Sequence, residues 1–141
     1  MEQGFSGMGT RFVTGLIAAT LLAAAPFVSA HHSVAGQFDI HKTVELAGVV
    51  SKVDWVNPHI HIHLDVKDKG GKVAVWTLEG VPVGMARKAG LSKAMLEGHG
   101  ETVNVVCFPA RDGTKNLGFL VKLTYPDGHV FQFSPDSSKG G

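Results

Sequence analysis

Of the 141 residues, 44% are hydrophobic and 18% are charged, and the net charge is +1 with neutral histidines. So even a balance offers no basic surface for nucleic acid or for an acidic membrane, and the single cysteine, Cys107, excludes a disulfide within one copy of the chain. The anomaly is histidine: there are eight, all beyond residue 30.

The first thirty residues read as a leader rather than as fold. Arg11 precedes an apolar run from Phe12 to Phe27, and V-S-A follows, the layout of a secretory signal peptide cut after Ala30. The run is shorter than the roughly 20 apolar residues of a spanning helix, and Pro26 interrupts its end. The expectation is a periplasmic or secreted protein with no membrane span after cleavage. Removing 30 of 141 residues leaves one small domain of 111.

Residues 31–42, HHSVAGQFDIHK, have no sustained period and read as an extended arm. A first strand is expected from Thr43 to Trp55, with apolar residues at even positions (Val44, Leu46) and then at odd ones (Val53, Trp55). Gly48 near the phase change suggests a bulge or a sharp bend. Asn57-Pro58 ends this strand, because proline supplies no ladder donor. Next comes NPHIHIHLDV, in which His59, His61 and His63 alternate with Ile60, Ile62 and Leu64. On a strand, alternate residues share a face, so three imidazoles line one side and three aliphatic side chains the other.

KDKGGK supplies a turn before a third strand, VAVWTLEG, and PVGMARKAG then has helical character, with Pro82 suited to a first turn and Gly90 to the position past the end. Ser92 is placed to cap a further short turn through Leu96. ETVNVVCF and LGFLVKLTY read as two more strands, with Cys107 as a small buried residue. After the P-D-G turn come a short strand, HVFQF, and a disordered tail over 134–141. Three strands, a helix and two or three strands match a mainly β, five- to six-stranded OB-like barrel over 43–133, with one short helix between strands 3 and 4. A β-sandwich is the alternative, disfavoured by the mid-chain helix.

Two histidine groups point to metal chemistry. Same-face neighbours on a strand are about 6.5–7 Å apart, near enough for two imidazoles to converge on one ion. Copper and zinc both accept imidazole nitrogen, and a third ligand has to come from elsewhere. Cleavage after Ala30 makes His31 the first residue, so its α-amine and imidazole can bind one ion together, with His32 beside them. The Irving–Williams order favours copper at such nitrogen ligands. The candidate ligands are therefore His31, His32, His59, His61 and, from the arm, Asp39. Glu79 is a possible acceptor for a ligating histidine, Trp55 and Trp76 read as core, and His99 and His129 fall in polar turns. Catalytic motifs are lacking: there is no G-x-S-x-G, no H-E-x-x-H and no phosphate-cradling loop.

HHSVAGQFD after the leader, TVELAGVV, WVNPH, W-x-L-E-G, RKAG and PARDG together resemble a family of small exported bacterial proteins known only as a domain of unknown function, number 6152. The resemblance spans the mature chain, implies an exported β-barrel-like domain without assigned activity, and draws attention to His31, His32, Asp39 and His59. The leading expectation is a metal carrier or buffer, copper before zinc. The alternative is an OB-like module that binds a small molecule or a periplasmic partner protein. An oxidase or oxygenase built on an amino-terminal copper has only its first ligand in favour.

Overall fold

The computed structural model describes residues 33–134, so the expected leader, His31, His32 and the tail from residue 135 lie outside the described residues. Strand β1 (Val44–Asp54) is long because it serves both halves of a barrel: residues 44–49 pair with β4 (Thr102–Pro109), and residues 49–54 with β2 (His59–Lys67), both antiparallel. β2 pairs with β3 (Val73–Pro82), β4 with β5 (Leu117–Thr124), and β3 closes on β5 in parallel through Thr77–Glu79. The ring β1–β2–β3–β5–β4 is that of the OB-fold, as expected. A short β6 (Val130–Gln132) extends the sheet beside the end of β5.

The phase change in β1 has its cause at Ser51 rather than at Gly48. Val50 pairs with Leu64 and Lys52 with His63, so Ser51 is the extra residue of a bulge and every later side chain changes face. Gly48 serves a close approach instead: a Cβ there would lie 2.5 Å from the backbone oxygen of Asp65.

Inside the ring, Val53, Ile60, Ile62, Leu64, Leu78 and Leu120 are almost fully excluded from water, and Trp55 and Trp76 pack partly buried against them. Cys107 joins this core, and burial pushes its thiol pKa up to about 12. β4 and β5 are apolar on both faces. Their outer residues Val106, Phe108, Phe119 and Val121 form a second cluster under the arm, around Phe38.

Two expectations need correction. The arm is not extended throughout: residues 34–37 make a one-turn helix, α1 (Val34–Gln37), closed by the Phe38 amide donating to the Val34 carbonyl at 2.8 Å. Phe38 then anchors the arm, packing on Phe119 with ring centroids 5.7 Å apart. Between β3 and β4 stand two short helices, not one, α2 (Val83–Lys88) and α3 (Lys93–Glu97). Gly90, at a φ of 79°, turns the chain out of the first, and Ser92 Oγ accepts the Met95 amide to start the second. Among the described residues no helix is long and apolar enough to cross a membrane.

Candidate functional site

The outer face of β2 carries the histidine stripe as the alternation requires. Ile60, Ile62 and Leu64 are completely buried, while His59, His61 and His63 are half-buried on the outside. The neighbouring strands bring carboxylates to this face. His61 is in register with Asp54 on β1 and with Glu79 on β3, so it sits between two acidic residues.

Both carboxylates turn away from His61 to the histidines beside it. Glu79 Oε1 lies 2.8 Å from Nδ1 of His59, and Asp54 Oδ2 lies 2.8 Å from Nε2 of His63. The first contact depends on an irregularity: His61 pairs with Glu79 but His59 with Pro82, three residues on, and that extra residue re-aims Glu79 towards the strand start. Gly80 permits the approach, because a Cβ there would meet Ile60 Cγ1 at 2.7 Å.

A carboxylate accepts, so each of these imidazoles donates. In its neutral form His59 then carries its proton on Nδ1 and leaves the Nε2 lone pair, whereas neutral His63 carries it on Nε2 and leaves the Nδ1 lone pair. A carboxylate behind an imidazole fixes tautomer and ring orientation, and makes the other nitrogen a better ligand. Lys52 Nζ lies 2.7 Å from Asp54 Oδ1, and this ammonium, with His63, holds the Asp54 carboxyl below its ordinary pKa. The His61 side chain makes no hydrogen bond or ion pair with any described residue.

The arm borders this face. A cleft of about 520 Å³ lies between Gln37 and Phe38 of the arm, Glu79 of β3, Leu117 of β5, and Arg111 and Asp112 of the loop joining β4 to β5. Glu79 thus belongs to the histidine face and also lines the cleft beside the arm. Two backbone bonds hold the arm there: Asp39 N donates to the Pro109 carbonyl, and Arg111 N to that of Gln37, both at 2.9 Å.

The expected site residues are only partly brought together. His59 and His61 share a face, to which Glu79 and Asp54 contribute carboxylates. Asp39 serves its own turn instead: its carboxylate meets Lys42 Nζ at 3.2 Å and accepts the His41 amide, and the lysine holds its pKa low. Among the described residues no three His, Cys, Asp or Glu side chains are placed to hold one ion together. His129 stands apart, with Nδ1 3.1 Å from Asp127 and its ring stacked on Tyr125. Asp54 and Arg111 are the residues that sequence reasoning missed. Asp54 is placed beside a histidine only by the strand register, and Arg111 stands in the sequence only as part of PARDG.

The chain belongs to a protein family described as a family of unknown function, DUF6152, whose model matches residues 18–119. No curated protein and no solved structure matches it.

Proposed function

We propose that this member of DUF6152 is an exported metal-binding protein that takes copper in preference to zinc and carries or buffers the ion without chemistry of its own. The ion lies against the outer face of β2, on His59 and His61, and is completed by His31 and His32. The observation that carries the reading is the 2.8 Å contact of Glu79 with His59, which leaves Nε2 of a fixed imidazole as a ligand. His61 beside it is uncommitted, and the two flanking carboxylates favour a cation. The face lacks a third convergent ligand among the described residues, and the amino-terminal pair supplies what is missing. Those histidines immediately precede the arm segment that shares a cleft wall with Glu79. Asp39, committed to Lys42, is left out of the ligand set.

Metal analysis of protein recovered from its native compartment, followed by calorimetric titration with Cu²⁺ and Zn²⁺, tests the proposal. It expects one bound copper and tighter Cu²⁺ than Zn²⁺ binding, both weakened in His59→Ala and His61→Ala. Recovery without copper, together with titrations unchanged in both variants, would overturn it.

A further inference from the structure

The cleft beside the arm supports a second binding site, argued without the metal. Its walls carry opposite charges from different elements. Arg111 makes no side-chain hydrogen bond or ion pair with any described residue and feels Asp39 only as a charge nearby. Across the cleft, Glu79 commits Oε1 to His59 and retains Oε2. Asp112, next to Arg111 in sequence, accepts the Thr114 amide at 2.9 Å within its own turn and adds a second carboxylate to the cleft, on the loop that carries Arg111. Phe38 and Leu117 give the same cleft an apolar lining, and Gln37 adds a neutral amide.

This distribution selects among ligands. A simple anion drawn to Arg111 meets the Glu79 carboxylate, and a simple cation drawn to Glu79 meets the guanidinium. A molecule with both charges satisfies both walls, and an apolar body between them fills the rest. The cleft's volume of about 520 Å³ lies within the range of small-molecule sites.

We propose that the cleft binds a small zwitterion with an apolar body, an α-amino acid or a short peptide with both ends free. Arg111 receives the carboxylate, in the two-pronged geometry that guanidinium favours. Glu79 receives the ammonium, and half-buried Leu117, with the exposed edge of Phe38, packs against the apolar side chain.

The test is a titration of the full mature protein, stripped of metal and kept in chelator, with L-leucine and with L-leucyl-L-leucine. L-Leucinamide, which lacks the carboxylate, and 4-methylpentanoate, which lacks the ammonium, are the singly charged comparisons. At least one zwitterion should bind about tenfold or more tightly than either comparison, the worth of a charged hydrogen bond, and shift the amides of Gly36 and Ala110. Binding of leucine alone identifies a free amino acid as the ligand, and binding of the dipeptide alone a peptide.

Arg111→Gln should reduce the favoured zwitterion to the level of L-leucinamide, Glu79→Gln to that of 4-methylpentanoate, and Arg111→Lys should retain part of the affinity. Unfolding curves establish that each variant is folded. Equal binding of zwitterions and singly charged analogues, or no binding up to about 10 mM by folded protein, would overturn the proposal. Because metal is absent throughout, failure here leaves the copper reading standing, and failure of the copper titration leaves this one.

Discussion

Glu79 and His59 face each other across β3 and β2 with 2.8 Å between Oε1 and Nδ1, although the register pairs Glu79 with His61. In the proposed copper site this carboxylate orients His59 without itself being a ligand. Glu79→Gln should therefore weaken Cu²⁺ binding about tenfold or more, His59→Ala should weaken it further, and His129→Ala, remote from the β2 face, should leave it unchanged. Calorimetric titration of the three variants checks the order.

The two faces of β2 should differ in their contribution to stability. Ile62 is completely buried, so Ile62→Ala leaves a cavity in the barrel and should cost about 2–4 kcal/mol. The His61 side chain is half-buried on the outside with no partner among the described residues, and His61→Ala should stay within about 0.5 kcal/mol. Urea unfolding of the two variants reads the difference directly, and equal losses would reverse the assignment of faces.

Phe38 couples the arm to the barrel. It is 2% exposed and packs on Phe119, so Phe38→Ala should destabilise by about 3 kcal/mol. The same change should free the amides of Asp39 and Arg111 to exchange faster, since their bonds to Pro109 and Gln37 hold the arm in place. Hydrogen exchange confined to the arm and the loop after β4, with the β2 amides still protected, is the expected pattern.

Cys107 gives the pH dependence. Its folded pKa is raised to about 12 by burial, above the unfolded value of about 8.5, so the fold favours the neutral thiol. The stabilisation is complete below about pH 8.5 and is lost as pH climbs through that value towards 12. Labelling by a disulfide reagent at pH 8 should be slow in native protein and fast in urea, and the unfolding midpoint should fall between pH 8 and 10 in wild type more than in Cys107→Ala. Rapid labelling of native protein would contradict the burial.

Much of this was legible because it is periodic. The alternation from His59 to Leu64 fixes which side chains enter the core, and the order of strands and helical formers points to the barrel. The carboxylates were not legible: which residue on β1 or β3 lies beside a histidine depends on register, and bulges at Ser51 and next to Glu79 shift it. The cleft was hidden for a related reason, since it gathers residues 36–38, 79 and 110–117 from separate segments. The arm's docking did leave a trace. Val105 to Phe108 and Phe119 to Val121 are apolar without alternation, the pattern of strands covered on both faces, and Phe38 is the aromatic left over to cover them.

On the proposed reading the amino-terminal histidines complete a copper site on the β2 face, and blocking the α-amine probes that completion. In protein that begins at His31, the α-amine and imidazole of that residue can share one ion; acetylation confined to the α-amine turns it into an amide and adds no ligand nitrogen. Cu²⁺ affinity at pH 7, measured on both forms after mass spectrometry has established their amino termini, should be about tenfold weaker for the acetylated form, with identical unfolding curves. Equal affinities would remove the His31 amine from the site.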